Sequence, residues 1–386
     1  MSKSWNKAVD TAVAARRALH RRPELTWAEH ETAATIRGWL DALDIPWRVC
    51  ASTGTLGRLA ADAPGRHIAL RADIDALPIV EDSGVAWSSE TPGCMHACGH
   101  DGHTATLYAA AMWLKRHESR LPGPVTPLFQ PAEEGGHGAE AMIADGALEG
   151  IDCIFGWHNW PAIPFGRAVC PDDAVMAGNG TFEIVVRGCG GHASQPELCR
   201  DPVLAASAIV VALQQAVSRR IAPQAPAVIS VTRFNAEAAD TVIPDIATLG
   251  GSFRLGRPEL REQINGLIEG IATSTATAYG VEAHINIERR YDATVNHAAQ
   301  AGEYRHALKT ELGQGWQDET LALPIMASED FSYYLQEIPG AFALVGADDG
   351  KGHHHPCHSA HYDFNDRLID SVGRIYARLA GVPVES

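Results

Sequence analysis

Apolar and polar positions follow two different periods along this chain. In the opening stretch AARRALHRRPELTWAEHETAATIRGWLDALD the apolar residues recur at helical spacing and are interrupted at Arg22-Pro23, which predicts two helices joined by a turn. HIALRADID, PVTPLFQP and CIFGWHNW are short apolar runs that read as strands, interleaved with helical stretches such as HTATLYAAAMWLKRH. That alternation predicts an α/β domain whose ligands gather at strand ends. From about Gly178 the pattern changes. TFEIVVRG reads as a strand, DPVLAASAIVVALQQAVS as a helix, AVISVTRFN and TLGGSFRL as two strands, ELREQINGLIEGIATSTATAYG as a helix and VEAHINIERR as a last strand. The order β-α-β-β-α-β is the split ferredoxin-like unit. We therefore expect an inserted domain over 178–291 within a discontinuous first domain of 1–177 and 292–386, with TVNHAAQAGEYRHALKTEL resuming the helical pattern.

A chain of 386 residues that is 46% hydrophobic can bury the cores of two domains. Its 31 basic and 47 acidic residues give a net charge of −16, which argues against a nucleic-acid or anionic-membrane partner. No apolar run reads as approaching the roughly 18 residues needed to span a bilayer, and MSKSWNKAVD lacks an apolar signal core, so a cytoplasmic location is expected. The eight cysteines are scattered through a long chain, as buried thiols are, and do not form the dense frame of a small secreted protein.

Chemistry concentrates in HACGHDGH, where three histidines, a cysteine and an aspartate fall within eight residues. Gly99 and Gly102 would let the backbone turn tightly, placing Cys98, His100 and Asp101 ahead of a helix beginning near Thr104, whose dipole favours a thiolate. Cys98 and His100 are candidate metal ligands, although polar turns also collect His, Asp and Gly for backbone reasons. In FQPAEEGGHG, Glu133 and Glu134 follow an apolar strand. If extended they point to opposite sides, so one carboxylate could bind a metal while the other acts as general base; a solvated acidic pair is the alternative. Asp73 and Asp75 lie two apart on an expected strand and hence on one face, either behind a metal-bound histidine or capping a turn. His158 and His358 are further candidates, and His353 to His355 read as a solvated loop.

In order along the chain, RADIDALP, HACGHDGH, QPAEEGG, GWHNWP, GCGGHASQP, TVIPD, MASEDFSYYL, PGAF and HYDFND resemble the M20 metallopeptidase family, specifically its amidohydrolase branch. The likeness runs from about Leu19 to Asp366. It implies an α/β catalytic domain of zinc-peptidase type, with a mixed central sheet flanked by helices, plus an inserted ferredoxin-like α+β domain serving as lid and dimerisation surface. It further implies two divalent metals per subunit (zinc, manganese, cobalt or nickel), bridged by Cys98 and held by His100, Glu134, His158 and His358, with Glu133 as general base toward a metal-activated water. Asp75 matches the aspartate of the family's His-x-Asp motif and enters as a catalytic residue. Asp73 stands at that motif's histidine position, leaving His100 to supply the ligand. His192 of the inserted domain would stabilise the oxyanion from a partner subunit, which implies a homodimer, and Arg254 would clamp the substrate carboxylate. The sequence departs from its relatives at Thr241, Cys189, Ala327 and Ala360. Thr241 and Ala327 fall near where the carboxylate end of the substrate is expected.

The implied reaction is hydrolysis of a small N-acyl, chiefly N-acetyl, amino acid to a carboxylate and a free amino acid. Hippurate, N-acetyl-diaminobutyrate and N-acetylcysteine all remain open as substrates. A dipeptidase or carboxypeptidase of the same fold, a thiol hydrolase using Cys98 as nucleophile, and a non-enzymatic metal-binding module are the competing readings.

Overall fold

The computed structural model describes residues 3–385. The chain divides into two compact units, one made of Met1–Val175, Val295–Ala322 and Asp330–Ser386, the other of Met176–Thr294 and Leu323–Glu329.

The first unit is built on a seven-stranded sheet in the order Trp47–Cys50, Gly54–Gly57, Val125–Gln130, Ile68–Asp73, Cys153–Pro164, Gly340–Asp348 and Ala168–Val169. The four strands from Val125–Gln130 to Gly340–Asp348 run parallel, and antiparallel partners close both edges, so the sheet is mixed. Every residue of Ile68–Asp73 and Val125–Gln130 is buried, which is why these strands read as continuous apolar runs without alternation. Helices Lys3–Arg21, His100–Arg116, Ala298–Leu312 and Arg367–Leu379 share one core with this sheet, in which Trp5, Leu107, Trp113, Tyr304, Leu368 and Tyr376 are buried. The break at Arg22-Pro23 does end the first helix, and the second spans His30–Ala42.

The second unit carries a four-stranded antiparallel sheet in the order Ala227–Asn235, Ile246–Leu255, Gly178–Arg187 and Glu282–Arg289, with helices Pro202–Gln215 and Leu260–Ala278. Burial alternates along Gly178–Arg187, and Phe182, Ile184 and Val186 form a core with Ile209, Leu213, Ile264 and Ile268 of the helices. Asp201 starts the first helix by accepting from the N–H groups of Val203 and Leu204, with Pro202 at the first helical position.

Two expectations change here. The apolar pattern predicts a first domain that continues unbroken from 292, but Leu323–Glu329 belongs to the second unit, because the Ala177 N–H bonds the carbonyls of Ile325 and Ala327. The stretch Pro202–Arg220, with a π turn at its end, is also long and apolar enough to cross a membrane by length and composition, contrary to the reading of the sequence. Only part of it is apolar for the sake of this core. Ala205, Ala206, Ile209, Leu213 and Ala216 are buried, while Leu204 and Val211 are exposed.

Candidate metal centre

The parallel strands Ile68–Asp73 and Val125–Gln130 end side by side, with Asp73 opposite Gln130. Asp75 and the pair Glu133-Glu134 lie on the chain just past these carboxyl ends, where open α/β sheets bind ligands. Asp75 is thus beyond its strand, not within it. Glu133 and Glu134 sit in a turn and not in extended chain, so strand alternation does not set their directions. Ala132 turns the chain there at φ +56°, and the buried Glu29 carboxylate holds that turn by accepting from the Ala132 N–H at 2.9 Å.

HACGHDGH folds around a helix start. The helix spans His100–Arg116, so His100 and Asp101 occupy its first turn instead of preceding it. Gly99 takes φ +91°, and a Cβ there would stand 2.3 Å from Asn159 Oδ1 and 2.4 Å from the Tyr362 hydroxyl. Gly102 is helical and makes no turn; it is needed because a Cβ would meet the Phe364 ring at 2.3 Å. Asp101 faces away from the ligand cluster into ion pairs with Arg16 and His20, each at 2.8 Å.

Five predicted ligands come together. The donor atoms of Cys98, His100 and His158 lie within 4.8 Å of one another, as do those of Cys98, Glu134 and His358, and those of His100, Glu133 and Glu134. Cys98 Sγ is 3.3 Å from His158 Nε2 and 3.4 Å from His358 Nε2, and His358 Nε2 is 3.0 Å from Glu134 Oε1. His358 holds this place with φ +68°, an uncommon conformation for a residue with a side chain. His100 Nε2 is buried without a hydrogen-bond partner, and Glu134 Oε1 is buried with His358 Nε2 beside it. Buried polar atoms left unpaired cost about 1–3 kcal/mol each. Donor atoms that converge from Cys, His and Glu side chains, one of them unpaired, suit divalent transition metals, so the residues fit a metal pair with one shared sulfur.

The surroundings aim these donors. Asp75 accepts from His100 Nδ1 at 3.1 Å, from the Glu134 N–H at 2.9 Å and from the Thr26 hydroxyl at 2.9 Å, and its carbonyl accepts from the same His100 nitrogen at 3.0 Å. With Nδ1 so engaged, Nε2 is the His100 nitrogen placed to bind a metal in exchange for its proton. His158 Nδ1 is likewise tied to the Asn159 carbonyl at 2.6 Å. Burial, with His103 nearby, lowers His158 well below the usual histidine range and keeps the ring neutral. Burial opposes a charge on His100, but Asp73, Asp75 and Glu134 outweigh it and raise its pKa to about 10. In the chain alone, the interaction with the Cys357 thiol, then burial and the carboxylates of Glu134 and Glu133, push the Cys98 thiol far up. A field that retains protons on both groups is one that welcomes a multiply charged cation in their place.

Asp73 takes a different part from Asp75. It meets Arg71 at 2.5 Å and His103 Nδ1 at 2.6 Å, and stands 3.7 Å from His100 Nε2. Arg71 continues to Gln130 at 2.8 Å and Asp330 at 3.1 Å, and Gln130 donates to both Asp330 oxygens. The Asp330 N–H reaches Glu133 Oε1 at 3.4 Å, which ties the buried Glu133 carboxylate to this lattice. Arg71, His103, Gln130 and Asp330 lie within stretches that the sequence singles out but have no role assigned there, and Thr26 and Glu29 are not singled out at all. The one local signal is charge inside apolar strands, as at Arg71 in IALRAD.

His192, Thr241, Arg254 and Ala327 lie in the second unit. His192 is exposed on a two-stranded ribbon opposite Val242, and its Nδ1 accepts from the Ser194 N–H at 3.1 Å, which puts the proton of the neutral ring on Nε2. Thr241 belongs to the same ribbon, its carbonyl accepting from the Ala193 N–H. Arg254, on Ile246–Leu255, donates to the Ser328 hydroxyl at 2.7 Å, beside Ala327 in sequence. In the loop His353–His355, His353 is bound to Asp349 at 2.8 Å and His354 is exposed.

Residues 69–381 match the model of peptidase family M20/M25/M40. The IAA-amino acid hydrolase ILR1-like 2 of Arabidopsis thaliana is 40% identical over 380 residues, covering 96% of this chain and 84% of its own length. N-acetyl-L-cysteine deacetylase of Bacillus subtilis (strain 168) is 38% identical over 371 residues, covering 92% and 88%. A solved Bacillus subtilis protein, described as a dinuclear metal binding peptidase from the M20 family, matches with a TM-score of 0.84 and 31% identity over 97% of this chain and 98% of that one.

Proposed function

The chain belongs to peptidase family M20/M25/M40, and from that membership we propose how its residues divide the work of hydrolysing an N-acyl amino acid. It is an amidohydrolase that releases a carboxylate and a free amino acid. The observation that carries the assignment of roles is that Cys98 belongs to two donor sets, one with His100 and His158, the other with Glu134 and His358.

These five residues would hold two divalent cations, which when bound polarise the scissile carbonyl and lower the pKa of a water. Glu133, steadied by the Asp330 N–H, takes the proton of the attacking water and passes it to the nitrogen of the leaving amine. Asp75 acts through His100 and the Glu134 backbone and is a positioning residue. From the second unit, Arg254 is assigned to the substrate carboxylate, and His192 Nε2 to donating a hydrogen bond to the carbonyl oxygen as it gains charge. Thr241 and Ala327 are assigned to selecting the amino-acid side chain. A homodimer through the second unit is part of this reading. The edge strand Ala227–Asn235 exposes Val228 and Phe234, and the helix Pro202–Gln215 exposes Leu204 and Val211, apolar side chains that a second copy would cover.

The test is a panel of N-acetyl, N-benzoyl and N-indoleacetyl amino acids beside free dipeptides, assayed before and after chelation and after adding back zinc, manganese, cobalt or nickel. Acyl amino acids cleaved in a chelator-sensitive, metal-restored manner are expected. Chelator-resistant turnover, or turnover of dipeptides alone, would remove the assignment. Light scattering of the purified chain checks the dimer.

A further inference from the structure

Cys357 neither holds a metal nor moves a proton in the proposed reaction, yet it adjoins the metal centre. It directly precedes His358 and is half-buried. The His358 N–H donates to the Ala97 carbonyl at 2.8 Å, so the segments 357–358 and 97–98 run side by side. Cys357 Sγ lies 4.0 Å from the Cys98 carbonyl oxygen and receives Asn159 Nδ2 at 3.6 Å. A disulfide needs its two cysteines on chain segments that pass close to each other, with Cα atoms about 4.4–6.8 Å apart, and these two stand on adjoining segments. One of the two is the sulfur shared by both donor sets, and the other is the more exposed.

We propose that Cys98 and Cys357 are an oxidation site, in which a peroxide links them and thereby dismantles the metal centre. The inference rests on the reading of Cys98 as a shared ligand. Cys357, the more accessible thiol, gives two electrons to the peroxide O–O bond and becomes a sulfenic acid with loss of one water. The Cys98 sulfur then attacks the Cys357 sulfur, the S–O bond breaks and a second water leaves. In total, two thiols lose two electrons and two protons, and hydrogen peroxide becomes two waters. The product sulfur at Cys98 is neutral and no longer a thiolate donor, so both donor sets lose their common anion. Thiol–disulfide exchange with a small dithiol reverses the step, whereas oxidation of Cys98 alone to the sulfinic acid is not reversed.

The experiment uses the full-length, metal-loaded protein and hydrogen peroxide. Three quantities are followed: a Cys98–Cys357 cross-linked peptide by mass spectrometry after alkylation, free thiols, and zinc released to a chromogenic chelator. The wild type is expected to lose two thiols per chain, yield the cross-linked peptide and release metal in step, all restored by dithiothreitol with added zinc. Cys357→Ser is expected to hold its metal before oxidation, give no cross-link and lose zinc at least about tenfold more slowly, in a way dithiothreitol does not reverse. Wild-type oxidation without the cross-link, or reversible metal loss in Cys357→Ser at the wild-type rate, overturns the proposal. The cross-linked peptide is read without reference to metal, so a chain that forms it but binds no divalent ion would refute the metal reading and leave the thiol pair standing.

Discussion

Replacing Asp75 with Asn keeps the size of the side chain but removes one acceptor at a point where three donors converge. Asp75 Oδ1 accepts from His100 Nδ1, while Oδ2 accepts from the Glu134 N–H and the Thr26 hydroxyl. An amide has one oxygen, so one of these two sides must face an NH2 group. With the NH2 toward His100, the ring accepts at Nδ1 and carries its proton on Nε2, the atom that has to donate a lone pair to the metal. With the NH2 toward Glu134, two donors oppose each other in a buried place, at a cost of about 1–3 kcal/mol. Loss of such a supporting group typically lowers metal affinity about 10–100-fold, or roughly 1.4–2.7 kcal/mol, so the two estimates agree. Competition for zinc between the protein and a chromophoric chelator measures the effect, with thermal melts of the metal-free proteins as a control on folding. Wild-type affinity in Asp75→Asn would refute the reasoning. Asp73→Asn is the contrast, because it leaves the buried Arg71 with less countercharge. Breaking such a pair costs about 3–5 kcal/mol, so this variant should show chiefly as a lower Tm.

Glu133→Gln should keep both metals and lose at least about a hundredfold in kcat, as for removal of a general base, whereas Glu134→Gln should also lose metal; equal metal content in the two, read by atomic absorption, would undo their division. Gly102→Ala drives a methyl into the buried Phe364 ring at 2.3 Å, and overpacking of about 1–3 kcal/mol outweighs the usual helix gain of about 0.5–1 kcal/mol from replacing Gly by Ala, so calorimetry should show a lower Tm and not a higher one. Glu81 is held down to about 2, burial being outweighed by bonds from His20, Ser83 and the Ser89 N–H. A depressed carboxylate stabilises above its unfolded pKa, so the Tm gap between wild type and Glu81→Gln should be full near neutrality and close as pH falls from about 4.5 toward 2. His192→Ala should lower kcat roughly 10²–10³-fold at unchanged metal content. If His192 serves a partner subunit, exchange of subunits with Glu133→Gln protein should restore activity, and failure in proven heterodimers would place His192 in its own subunit.

Much of the candidate metal centre is legible in the sequence because its metal-type donors come in dense local groups. Cys98 and His100 sit two residues apart at one helix start, and Glu134 follows Glu133 directly. The strands of the second unit are equally plain, since Ala227–Asn235 and Glu282–Arg289 fall where the apolar pattern puts them. Local turns are less accessible. Strand alternation is the wrong guide for Glu133-Glu134 and for Asp75, because both strands end before these residues. Gly102 reads as a turn glycine, and only the Phe364 ring explains it.

The sequence by itself determined which faces of many elements are buried, the order of elements in the second unit and the supply of metal-type donors, because each of these depends on neighbours a few residues apart. Only the tertiary structure decided that Gln130 binds Asp330 across 200 positions, that Arg71 ties both to Asp73, that Cys357 comes to lie beside Cys98, and that Leu323–Glu329 belongs to the second unit. The physical reason is that periodicity reports how a segment meets its own core, whereas these pairings depend on strand register and on where distant loops are brought together. A buried Arg or Asp shows in the sequence only as a charge among apolar residues, and its partner is fixed by the fold.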